Sequence, residues 1–211
     1  MRNRIFQFGA LVVMMVMISI HTYAQSSDFA RYLRLFSRGM TNGQMLKGTE
    51  GAEYIDTVLV RKFVTAGQGG KSCDDSDWWD SSSLYKTGDY YVCLLYNRSN
   101  ADNGISIPWL FVYDKTGKIM DCVNLQGDYQ YDETVSAFND AYCTDHPFAF
   151  TFMFGVATKP YTMEQDVTDC NVKICQYSVG KDGELSRKVL AESKRMKWKH
   201  DAKTGRSGFV E

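Results

Sequence analysis

The sequence predicts a mainly β protein, an antiparallel meander with an amphipathic helix at its N-terminal end. Three observations predict it. Apolar residues recur at every second position in several short runs, and hairpin-like turns separate those runs. The chain is also rich in aromatics and poor in proline, with four Trp, thirteen Tyr and twelve Phe against three Pro. That composition belongs to a folded domain, not to a linker or a disordered tail. The spacing of the runs fits a curled sheet, a barrel or a sandwich equally.

The first element is not part of that fold. Arg2 and Arg4 supply a positive start, Phe8 to Ile20 is apolar except for Ser19, and His21-Thr22-Tyr23-Ala24 sets small residues three and one before a break. This is the order of a secretory signal peptide over residues 1–24, cleaved before Gln25. A transmembrane anchor would need ~20 apolar residues, and this run is shorter and gives way directly to polar Gln25-Ser26-Ser27-Asp28. The reading makes the protein an exported one, in the periplasm or outside the cell, with no transmembrane span after cleavage and a single β-rich domain over 25–211. Losing Arg2 and Arg4 from 24 basic residues leaves 22 against 25 acidic ones. A formal charge of −3 gives no case for nucleic acid.

The elements then follow in order. Phe29, Leu33 and Phe36 recur at i, i+4, i+7, which predicts an amphipathic helix over 27–38, capped by Ser26 or Ser27 and closed by Gly39. Glu53–Val64 carries both periods and reads as a short helix. Ala66–Ser83 is rich in Gly, Ser and Asp and reads as a loop. Tyr90–Tyr96, Ile105–Tyr113 and Lys118–Leu125 read as strands, the last two joined by Asp114-Lys115-Thr116-Gly117 with Gly117 in the left-handed position. Phe148, Phe150, Phe152 and Phe154 alternate with smaller residues and predict a half-buried strand. Asn171–Val179 and Glu184–Ala191 pair across Lys181-Asp182-Gly183, and Met196–His200 pairs with the chain end across Asp201–Gly205.

All six cysteines, at 73, 93, 122, 143, 170 and 175, lie beyond the signal peptide. Export makes disulfides plausible, while the competing reading has buried free thiols acting as small core residues, which suits Cys93 and Cys122 inside apolar strands. One pairing is disfavoured by geometry: on a single strand, Cys170 and Cys175 would point to opposite faces ~16 Å apart, whereas a disulfide needs Cα atoms within about 7 Å.

The runs Tyr32-Leu33-x-Leu35-Phe36, YYVCLLYNRS (90–99), WLFVYDKTGKIMDCVNL (109–125) and YSVGKDGEL (177–185) together resemble exported, β-rich proteins of unknown function from gut-type Gram-negative bacteria. The resemblance implies the fold already read from the periodicity and carries no catalytic residue.

Chemistry is sparse. The most distinctive stretch is Cys73-Asp74-Asp75-Ser76-Asp77-Trp78-Trp79-Asp80. Indole faces stack on sugar rings and carboxylates accept from their hydroxyls, so Trp78, Trp79, Asp75, Asp77 and Asp80 are the candidate binding residues for a glycan. The competing reading has the Trp pair stapling the loop to the sheet. A calcium loop fails, because Trp79 stands where a third Asp or Asn should be. Cys143-Thr144-Asp145-His146 with Cys170 and Cys175 offers a weak zinc or Cys/His pattern. Only His146 and His200 remain after cleavage, and no nucleophile elbow, His-Glu-x-x-His helix or phosphate loop is present. The sequence therefore names no catalytic residue, metal or cofactor. Arg187–Arg206 is basic, which suits an anionic polysaccharide or lipid headgroups, but reads more simply as lysines protecting an edge strand. The functional expectation is an exported, non-enzymatic binding or interaction protein with a carbohydrate or cell-envelope partner. The alternatives are a carboxylate-dependent hydrolase acting on glycans and a structural envelope protein.

Overall fold

Strands that alternate in two apolar sets need a covering layer on each face, and the architecture supplies one. The computed structural model describes residues 27–36, 38–40, 52–65, 78–98, 106–127, 136–144, 148–160, 167–201 and 206–211. Helix α1 covers residues 27–34, followed by β1 (Arg38–Gly39), β2 (Glu53–Tyr54) and α2 (Thr57–Phe63). Then come β3 (Trp79–Lys86), β4 (Tyr90–Asn97), β5 (Ile107–Asp114) and β6 (Ile119–Asn124). The last five strands are β7 (Ala137–Thr144), β8 (Ala149–Ala157), β9 (Val167–Val179), β10 (Leu185–Asp201) and β11 (Arg206–Val210). One sheet runs β1-β3-β4-β5-β6 with β2 added beside β3, the other β11-β10-β9-β8-β7. Apart from the two-residue β1–β3 pair, every pairing is antiparallel, so two meanders in chain order make the predicted mainly β fold.

The first sheet is apolar on both sides. Val92, Leu94, Tyr96, Leu110 and Val112 face Phe150, Phe152, Phe154, Cys175 and Tyr177 of the second sheet in one core. The alternate residues Cys93, Leu95, Phe111 and Tyr113 face the helices in another, formed with Phe29, Tyr32, Phe36, Leu59 and Phe63. The residues buried here are therefore Phe29 and Tyr32 of α1 and Phe36 just beyond it, with Leu33 only half-buried, one position away from the predicted stripe. The helix is also shorter than 27–38, because Arg38 and Gly39 pair with Ser83 and Leu84.

A buried polar relay fixes the helices to the sheet. The Tyr113 hydroxyl donates to the carbonyl of Phe63 (2.7 Å), the last residue of α2. Tyr113 has one proton, so the Tyr32 hydroxyl donates to it in turn (2.9 Å). Helix C-termini leave carbonyls without intrahelical partners, and here a sheet tyrosine satisfies one. Asp56 caps the other end of α2, accepting from the Leu59 N–H at 3.0 Å. The β5–β6 turn closes on α1: Gly117 has φ +88, and a Cβ there would lie 2.6 Å from the Phe29 ring.

The second sheet curls until its ends meet. Its inner face carries Met153, Cys170, Val172, Met196 and Phe209, with Phe138 and Trp198 packed against them. Phe138 of β7 stacks on Trp198 of β10 at 4.8 Å, and the Phe209 N–H of β11 donates to Asp140 of β7. Gly155 leaves room for this closure, since a Cβ there would meet the Phe209 ring at 2.5 Å. The sheet is thus nearly a barrel whose outer face forms one side of a sandwich.

Several sequence expectations are corrected by this packing. Residues 79–83 are strand, not loop: Ser81, Ser82 and Ser83 are poor strand formers, but all are buried, and the Ser81 hydroxyl donates to the Leu35 carbonyl at 2.6 Å. The phenylalanine strand is buried on both faces, because Thr151 and Met153 point into the curled sheet. Met196–His200 is not a separate strand but the end of the 17-residue β10, which two bulges carry across both regions. Strand β7 has no strong alternation and was not predicted. The five described cysteines are all thiols, so among the described residues the expected disulfides are absent. Cys170 and Cys175 do lie on opposite faces of β9, in different cores. Residues 1–24, read from the sequence as a signal peptide, lie outside the described residues, as do Cys73 and His146. Among the described residues no helix is long and apolar enough to cross a membrane.

Tyr113→Phe strips the relay of its central hydroxyl and leaves a buried carbonyl and a buried hydroxyl unpaired. It should destabilise the fold by about 1–3 kcal/mol, read from the urea midpoint with an unchanged m-value.

Candidate functional site

The register at one corner of the first sheet gathers the polar and aromatic residues that the cores exclude. Asp80 lies opposite Tyr54 on β2 and Tyr96 on β4, while Trp79 lies opposite Asn97. The Arg98 N–H donates to the Trp78 carbonyl at 2.8 Å, which extends the ladder by one residue past each strand. Side chains alternate across an extended backbone. Tyr54, Trp78, Asp80, Tyr96 and Arg98 consequently share the face turned towards the second sheet, and Trp79 points to the helices.

The adjacent tryptophans therefore have opposite fates. Trp79 is 0% exposed and packs edge-on against Trp109 (5.9 Å) and Phe111 (6.1 Å) in the helix-side core. Its indole is taken up by packing and presents no face to a ligand. Trp78 is 59% exposed and meets Tyr54, itself 53% exposed, at 6.4 Å in a T-shaped pair. Two large aromatic rings thus stand beside each other in solvent at this corner. Asp80 is buried behind it and ion-paired with Arg98, whose side chain is 38% exposed. Asp75 and Asp77 lie outside the described residues.

Tyr96 lies between the sheets, and Asp140 sits at the β7–β11 seam of the curled sheet. Burial raises the Tyr96 hydroxyl well above the usual tyrosine range, and the charge of Asp140 adds to that. Asp140 is 4% exposed. One carboxylate oxygen accepts from the Ala141 N–H (2.8 Å) and the other from the Phe209 N–H (3.3 Å). Burial nevertheless wins over those two bonds and pushes its pKa up to about 6. Tyr54 and Asp140 were not singled out from the sequence. Tyr54 gave a signal only as an aromatic in a segment of mixed period, and Asp140 gave none, because a carboxylate inside a closing seam looks like any surface acid until the partner strand is known.

Of the cysteine chemistry weighed from sequence, the pairing of Cys170 with Cys175 does not assemble, and His146 lies outside the described residues. Cys143 is buried against the inter-sheet core, and burial raises the Cys93 and Cys170 thiols above their ordinary value, away from the thiolate a nucleophile needs. Cys170 and Cys175 face away from each other, and among the described residues no group of three or more His, Cys, Asp or Glu is placed to hold a metal ion.

No family model matches the chain, and no curated protein or solved structure matches it either.

The raised Asp140 pKa makes a signed prediction. The folded state holds the proton up to about pH 6 while the unfolded chain releases it near 4, so this carboxyl costs stability as the pH rises through that window. A two-unit shift corresponds to up to about 3 kcal/mol. Urea unfolding of wild type and Asp140→Asn at pH 4 and pH 7 should show the variant gaining on wild type by that order as pH rises.

Proposed function

We propose that this is an exported, non-enzymatic β-rich module that binds a glycan at the Tyr54–Trp78 corner. The observation that carries the reading is the pair of adjacent, solvent-facing aromatic rings with the Asp80–Arg98 ion pair on the same face. Sugars offer apolar ring faces and a fringe of hydroxyls; the aromatic rings suit the first, and the part-exposed Arg98 guanidinium, held by the buried Asp80, suits the second as a donor. The signal-peptide pattern of residues 1–24, and the resemblance to exported β-rich proteins, support an address in the periplasm or outside the cell, where such ligands are found.

A carboxylate-dependent hydrolase draws less support. Asp140 has the raised pKa of a general acid, but it is almost wholly buried and both its oxygens are committed to backbone N–H groups. A structural envelope role draws less still, because among the described residues the large exposed apolar side chains, such as Val58, Leu190 and Val210, belong to different elements and do not include a run on one strand.

Binding should be measured against a glycan array and then by titration with the best ligand. Trp78→Ala and Tyr54→Ala should each weaken it by about 0.5–1.5 kcal/mol, roughly two- to tenfold, with the fold intact. Trp79→Ala should instead cost about 3–5 kcal/mol of stability. Unchanged binding in the Trp78→Ala, Tyr54→Ala double variant would remove the corner from consideration.

A further inference from the structure

The C-terminal half of β10 carries a second surface with a chemistry of its own. Two bulges, between Val189 and Ala191 and between Ala191 and Lys194, reset which residues face inwards. After them Met196 and Trp198 point into the curled sheet, so Arg195, Lys197 and Lys199 stand in one row on its outer face. All three are exposed, and among the described residues none makes an ion pair. Lys194, on the other face, is by contrast paired with Glu211, and Lys173 with Glu192.

Edge protection does not account for this row. Lys197 lies between Asp169 of β9 and Val210 of β11, and Lys199 between Val167 and Gly208, so both sit on a strand paired on each side. Strand geometry spaces the three charges at roughly 6.5–7 Å and spreads them over roughly 13 Å. Like charges held at that spacing repel one another, and an anion laid along them relieves the repulsion.

We propose that this row binds a linear anionic polysaccharide, one bearing carboxylate or sulfate groups along its chain. Charge complementarity names the sign, and the one-dimensional layout names the form. A membrane surface would be met by cations spread in two dimensions with apolar side chains to insert, whereas this face offers one line, with Asp169 beside it, Asp201 at its end, and Val167 and Val210 as its exposed apolar residues. A small anion would need a concave site, and an extended strand face has none.

The test uses the secreted-form chain and polygalacturonate as probe, titrated at two salt concentrations. Wild type should bind, more weakly at high salt. The Arg195→Gln, Lys197→Gln, Lys199→Gln triple variant should bind roughly tenfold or more weakly and lose most of the salt dependence. A control triple, Lys115→Gln, Lys118→Gln, Lys181→Gln, changes net charge equally and should bind as wild type does, as should Trp78→Ala, which separates this surface from the aromatic corner. Should the first triple lose its native circular dichroism, the single Lys197→Gln and Lys199→Gln changes carry the test, each expected to weaken binding in part. Equal loss in both triples, no binding by wild type, or binding to anionic phospholipid vesicles as tight as to polygalacturonate would each overturn the proposal.

Discussion

Strands β4 and β5 are apolar on both faces, and no single partner layer can cover them. Val92, Leu94 and Leu110 must be buried on one side, while Cys93, Leu95 and Phe111 must be buried on the other. Each fully buried side chain of this size is worth roughly 1.5–3 kcal/mol, so neither face can be left in water. The helices answer one face and the second sheet the other. The rest of the architecture follows from that demand. The Tyr32–Tyr113–Phe63 relay lets the helices approach without stranding a backbone carbonyl, and the glycine at 117 lets a turn reach α1.

The second sheet meets a different version of the same constraint. Over β7 to β9 and the start of β10 its outer face is spent on the sandwich, so its inner face has only itself to bury against. Curling brings β7 and β11 together, with Gly155 yielding space to Phe209 and Asp140 holding the seam by a single long hydrogen bond. A carboxylate at such a place is dehydrated, which is why it keeps its proton to an unusual pH. The seam, the buried ion pair at Asp80 and the exposed aromatic corner mark the regions where the two apolar layers run out. Polar chemistry collects there because the cores have no room for it.

The strands β4 to β6 and the two hairpins around Gly117 and Gly183 were legible because alternation and turn chemistry are local properties. The short helix was legible in part for the same reason, whereas its Asp56 cap emerged only in the structure. Strand β3 was hidden: Ser81, Ser82 and Ser83 are strand residues only because two layers bury them and Leu35 accepts from one hydroxyl. In the candidate site, Trp78 and Asp80 were visible as types. Which tryptophan faces water was not visible, since that depends on where the β3 ladder starts against β4. Tyr54 joined them only through a two-residue strand that no period could announce.

By itself the sequence determined a mainly antiparallel β chain and the positions of its sharp turns, because each rests on neighbours within a few residues. Only the tertiary structure decided that the fold has two sheets with a third, helical layer, that the described cysteines are core thiols, and that Trp79 is structural while Trp78 stands free. It also decided that the basic stretch splits into an inward and an outward set. Those outcomes depend on register and bulges between strands far apart in the chain, and a one-residue shift in either reverses every side chain.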